Sequence, residues 1–213
     1  VPPRFATCRV ADKPGHNRPA TSAVPQGGGA LLFILRVIAT VIDRINAVVG
    51  HVMAWLCLVL VLNTFLVVVL RYVFNLGEPW MTETYIYTHA YIFLLGAGYT
   101  LLHDGHVRID LIYAGASPRY KAAVNLIGTL VFALPVMWLF YTKGIDFFWR
   151  SYSSLETSPE AGGIPALYVV KAGIPAMAVL LGLQFVSLAI RSIETLITGD
   201  ARVLPQADEE PMT

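Results

Sequence analysis

Charge is what this chain has least of: Asp, Glu, Lys and Arg make up 14% of its 213 residues. Soluble domains carry roughly 25%, so a surface of ordinary polarity facing water is excluded. The little charge present has almost no sign, because 15 Lys and Arg stand against 14 Asp and Glu. That balance excludes the concentrated basic face of a nucleic-acid binder. Cysteine is nearly missing as well. Cys8 lies in a polar stretch and Cys57 in an apolar one, and such a pair cannot build a secreted disulfide scaffold. What is abundant is apolar surface, at 56% of residues. The composition predicts an all-α integral membrane protein, since helices satisfy their own backbone groups where no water is present.

Stretches without Asp, Glu, Lys or Arg locate the crossings. They are 45–70, 84–103 and 122–142, with a fourth from 161 to 190 broken only by Lys171. A spanning helix needs roughly 20 apolar residues, so four transmembrane helices are expected, the last over about 165–190. The first run holds 26 residues, or ~39 Å of helix, and should tilt. Upstream, 31–44 reads as a separate amphipathic helix, with Arg36, Thr40, Asp43 and Arg44 on its polar face. It is expected to lie in the interface before the chain turns into the first span. Residues 30–198 form the membrane domain. Residues 1–29, with prolines and a Gly27-Gly28-Gly29 run, are expected to be a disordered tail, and 199–213 a polar C-terminal tail.

Four spans place both termini and the middle loop on one side. That side carries 11 of the Lys and Arg residues and the other carries Arg71, Lys143, Arg150 and Lys171. The bias predicts cytoplasmic termini.

Polar groups inside the spans are the functional candidates. Lys171 lies six residues past Pro165, shallow enough for its stem to lift the ammonium to the interface. Alternatively it pairs with Asp146, Glu156 or Glu160 of the same loop, or with a partner chain. His51 and His103 share a depth, which raises haem or metal ligation, but no carboxylate–histidine set of recognisable spacing accompanies them. Hydrogen bonding at the interface is their simpler role. Small residues recur at Ala172, Ala176, Ala178 and Gly182, and in the patch Gly96-Ala97-Gly98; such surfaces let another helix approach closely. Gly98→Leu is therefore expected to disturb helix association, and Leu94→Ile to be mild if Leu94 faces lipid. Pro135 and Pro175 interrupt the third and fourth spans, which predicts kinks. No acidic pair, phosphate loop or nucleophile beside a base appears, so neither enzyme chemistry nor a cofactor or metal site is expected.

Specific motifs then narrow the class. Arg71-Tyr72-Val73-Phe74-Asn75 closes the first span, and Trp80 and Glu83 open the second. Phe93-Leu94-Leu95-Gly96-Ala97-Gly98-Tyr99-Thr100 fills it, followed by Asp104-Gly105-His106-Val107-Arg108-Ile109-Asp110-Leu111. Glu156-Thr157-Ser158, Ile164-Pro165-Ala166-Leu167 and Ile174-Pro175 come later. From about residue 31 to 193 the chain resembles the DctQ-type small membrane subunit of tripartite ATP-independent periplasmic (TRAP) transporters. Many members carry two adjacent acids where this chain has Thr82-Glu83.

The resemblance implies an accessory subunit that braces a large, many-helix membrane subunit holding the substrate and ion sites. A soluble periplasmic binding protein would deliver the solute, usually an organic acid. The chain would then sit in the bacterial inner membrane and work without a cofactor. Candidate contact or structural residues are Arg71, Trp80, Glu83, Gly96, Gly98, His106, Arg108, Asp110 and Lys171. Arg71 and Glu83 are expected to pair across the short turn, with Trp80 in the aromatic belt. His106, Arg108 and Asp110 are expected to anchor the middle loop. The alternative is a redox-enzyme membrane anchor with haem on His51 and His103; a small self-contained channel is disfavoured because no span is polar-lined.

Overall fold

The computed structural model describes residues 29–105 and 117–199. Four helices account for nearly all of them: α1 (Ala30–Val73), α2 (Pro79–Leu102), α3 (Pro118–Ser153) and α4 (Leu167–Thr198). The expected tails, apart from Gly29 and Gly199, and the His106, Arg108 and Asp110 segment lie outside the described residues.

Between Ala30 and Val73 there is no proline and Gly50 is the sole glycine, so nothing breaks the ladder. The separate interfacial helix expected over 31–44 is accordingly not formed. Its residues continue straight into the first apolar run as one helix of 44 residues, ~66 Å long. The polar face explains the difference: Arg36 and Asp43 turn onto α4 rather than into headgroup water. Asn75, with φ of 55°, ends α1 in the left-handed conformation that asparagine tolerates.

Pro79 opens α2, where its missing N–H matters least. α3 starts with Ser117 Oγ accepting from the Tyr120 N–H at 3.3 Å, followed by Pro118. Ahead of Pro135 the α3 backbone widens to π-helical geometry over Thr129–Ala133. The widening accommodates a ring that would collide with the preceding turn and a nitrogen that cannot donate to it. Gly199, at φ of 74°, closes α4.

The helices run alternately up and down. Gly50 of α1 meets Tyr99 of α2, Gly173 of α4 meets Leu94 of α2, and Gly144 of α3 meets Ile174 and Pro175 of α4. The ends at Ala30 and Thr198 therefore share one end of the bundle, called here the terminal end; Val73, Pro79, Ser153 and Leu167 share the far end. α4 is the hub: α1 and α2 pack on one flank and α3 on the other. In its most apolar stretch 44% of residues are buried, against 6% in α1 and in α3. The core is Leu101, Leu181 and Leu188, flanked by Ala97, Met137 and Phe185.

α1, α3 and α4 are long and apolar enough to cross a membrane. α2 has 24 residues but falls short on apolarity, because Thr82, Glu83, Thr84, Thr88 and His89 dilute it.

Candidate bracing site

At the terminal end, α1 and α4 each carry a stripe of polar residues at spacings of three, four and seven, the repeat that keeps side chains on one helix face. Arg36, Asp43 and Asn46 come from α1; Gln184, Ser187, Arg191 and Glu194 come from α4. Asn46 Nδ2 donates to Gln184 Oε1 at 2.9 Å, and Gln184 Nε2 donates to Asp43 Oδ1 at 2.9 Å. The Ser187 hydroxyl donates to the same oxygen at 2.7 Å. Arg191 forms an ion pair with the other Asp43 oxygen. Nearer the terminal end, Arg36 Nε donates to Glu194 Oε1 at 2.7 Å. Asn46, Gln184, Ser187 and Glu194 are buried. Bonded charges and amides in this setting fix helix register, because every slipped arrangement strands a buried polar group.

Glycines set how closely the helices approach. A Cβ on Gly98 would lie 2.1 Å from Asn46 Oδ1, so α2 presses its backbone onto the clamp. A Cβ on Gly50 would lie 2.1 Å from the Tyr99 ring. Tyr99 in turn lies between the two histidines, 5.9 Å from the His51 ring and 4.2 Å from that of His103. Each histidine engages its own helix through Nδ1, on the carbonyls of Ala47 and Tyr99. The geometry thus places an aromatic ring where shared haem ligation would need open space, and lends the redox-anchor reading no support.

The far end is organised by two carboxylates. Glu83 accepts from the backbone N–H of Ile164 at 2.6 Å and from the Ser158 hydroxyl. The expected Arg71–Glu83 pair is not formed, because the 155–166 loop takes Glu83 first. Arg71 instead lies along Gly77, whose Cβ would sit 3.6 Å from its stem. Gly162, at φ of 84°, and Gly163 let that loop close over Glu83; a Cβ on Gly163 would collide with Ser158 and Glu83. Lys171 bonds Glu156 at 2.5 Å and stands 4.2 Å from the Phe147 ring centre. Of the pairings expected for it, the one with Glu156 forms. The lysine's hydrogen bond holds the Glu156 carboxyl below the ordinary carboxylate range. Tyr91 adds a hydroxyl bond to the Val169 carbonyl at 2.5 Å.

Of the remaining expected contacts, Trp80 is exposed at the start of α2, and Gly96 faces open space, with nothing within 4 Å of a Cβ placed on it. Leu94 packs on Gly173, so the premise that it faces lipid does not hold. The clamp partners Asp43, Asn46, Ser187, Arg191 and Glu194 were not among the expected contact residues. The signal that finds them is the matching polar stripe on two otherwise apolar helices.

A sequence model of the DctQ component of tripartite ATP-independent periplasmic transporters matches residues 60–195. The chain belongs to the DctQ family. It is therefore a TRAP-transporter component, a membrane protein and not an enzyme. The match takes in α2, α3, nearly all of α4 and the last third of α1, but begins after Arg36, Asp43, Asn46 and Gly50. The DctQ pattern thus covers one side of the clamp and not the other. No curated protein and no solved structure matches the chain.

Proposed function

We propose that this chain is the bracing small subunit of a TRAP importer for an organic acid, seated in the bacterial inner membrane with cytoplasmic termini. In this reading it holds the static part of a large ion-coupled membrane subunit and helps to seat a periplasmic binding protein. One observation carries the reading: Arg36 and Asp43 of α1 bond across to Gln184, Ser187, Arg191 and Glu194 of α4, while only 6% of the most apolar stretch of α1 and of α3 is buried. A solute path needs the reverse, polar groups turned to a cavity. A brace needs a rigid interior and a broad apolar exterior for a neighbour and for lipid.

All four helices span in this reading. Support for α2 comes from its course, which runs back beside α1 until Gly98 meets Asn46. A helix that accompanies a span over that distance traverses the same depth. The cation bias of the sequence supports the orientation.

Affinity purification from the native membrane in mild detergent tests the assembly. The expected result is stable recovery of a larger polytopic subunit and loss of organic-acid uptake when this chain is deleted. Solute transport by the chain alone in proteoliposomes, or normal uptake without it, would overturn the assignment.

A further inference from the structure

Beside the clamp, between α1 and the end of α2, runs a groove of about 650 Å³. Its mouth is formed by Asp43, Arg44 and Arg191, and its wall by Val48, Val52, Trp55 and Leu102. The groove is cationic at one end and mainly apolar along its length, with His51 the polar side chain set among the apolar ones. Asp43 is held by Arg191, and Arg44, on the exposed side of α1, has no ion-pair partner among the described residues. The mouth therefore carries one uncompensated positive charge. From Arg44 to Trp55 the helix rises ~16 Å, about half of a ~30 Å hydrocarbon core. Charge at the mouth and an apolar wall one leaflet deep match the outline of a single lipid.

We propose that this groove holds one anionic phospholipid in the leaflet at the terminal end. Its phosphate lies against Arg44 at the mouth, and one acyl chain runs along Val48, Val52 and Trp55. The guanidinium fork suits a phosphate, offering donors in a fixed plane. A partner helix laid in the same place would bury the Arg44 charge unless it brought its own carboxylate. A lipid brings the anion and the apolar chain together. The inference needs the chain in a bilayer and is independent of what the transporter carries.

Trp55 reports on the groove. With Trp80, Trp138 and Trp149, all exposed, changed to Phe, the full chain is reconstituted in phosphatidylcholine containing a few per cent of acyl-brominated phosphatidylglycerol or acyl-brominated phosphatidylcholine. The expected result is about fivefold stronger Trp55 quenching by the anionic lipid, the preference that one basic group confers at a charged interface. Arg44→Gln should abolish that preference, and Lys143→Gln, exposed on α3, should leave it intact. Equal quenching by the two lipids, as a protein occupant or bulk lipid would give, overturns the proposal; so does a preference that survives Arg44→Gln. Native mass spectrometry of the chain with all its tryptophans gives a second reading. Retained phosphatidylglycerol that is lost in Arg44→Gln supports the site, and no retention, or equal retention in both proteins, refutes it.

Discussion

Gly98 and Gly96 stand two residues apart on α2 and meet different surroundings. A methyl group on Gly98 would land on Asn46, whereas one on Gly96 would meet nothing. Gly98→Ala should therefore destabilise the bundle by about 1–3 kcal/mol, the usual range for overpacking. Gly96→Ala should be neutral or stabilising by up to about 1 kcal/mol through helix propensity. Reversible unfolding of both variants in mixed micelles measures the difference, and equal effects would mean that Gly98 is not the contact. Asp43 offers a second comparison. Asp43→Asn keeps an oxygen for Gln184 and Ser187 but leaves Arg191 without its carboxylate, and should lower stability by about 3 kcal/mol, with the Asp43→Asn, Arg191→Met double variant less affected than the single one. The same unfolding assay decides, and a double variant as unstable as the sum of its singles would count against a coupled pair.

At the scale of elements, the far-end loop is held by hydrogen bonds to carboxylates rather than by packing. Because Lys171 depresses the Glu156 pKa on folding, the pair contributes stability that is fully present above the ordinary carboxylate value of 4.5. That contribution is lost as pH falls through the lower folded value. Amide hydrogen exchange at Leu167, whose N–H donates to the Glu156 carbonyl at 3.1 Å, should accelerate in that acid range. In Lys171→Met the loosening should begin at higher pH. No shift in the onset would mean that the lysine does not hold the loop. The existence of this loop was legible from Glu156-Thr157-Ser158 and the glycines, and Lys171–Glu156 was among the foreseen pairs. The choice of Glu83 for the loop instead of Arg71 was not legible, since both partners were close in sequence and only the folded path of 155–166 brings Ile164 to Glu83.

For the whole molecule, α4 holds the bundle together and α3 hangs on its flank. Gly144 allows that attachment, with a Cβ there only 2.9 Å from Ile174 and 3.3 Å from Pro175. Gly144→Leu should detach α3 while leaving α1, α2 and α4 joined through their clamp. Hydrogen exchange should then rise several-fold in α3 and remain unchanged around Asn46 and Gln184. A uniform rise across all four helices would show one indivisible unit instead. The arrangement also suits a brace, for the clamp secures three helices and leaves the outer surfaces of α1 and α3 for neighbours.

The sequence by itself determined that this is an all-helical membrane protein, where its long apolar runs lie, and its membership of the DctQ family. Composition, run length and ordered motifs are one-dimensional properties, and a lipid solvent permits few other ways to satisfy a backbone. Tertiary structure decided what 31–44 does, because an amphipathic stripe reads the same whether it faces headgroups or another helix. It also decided which polar residues matter. Asp43 finds Ser187 and Gln184, and Gly98 finds Asn46, across separations of 50 to 140 residues or so. Pairings at that range depend on how helices cross and on which faces meet, and chain order alone holds neither.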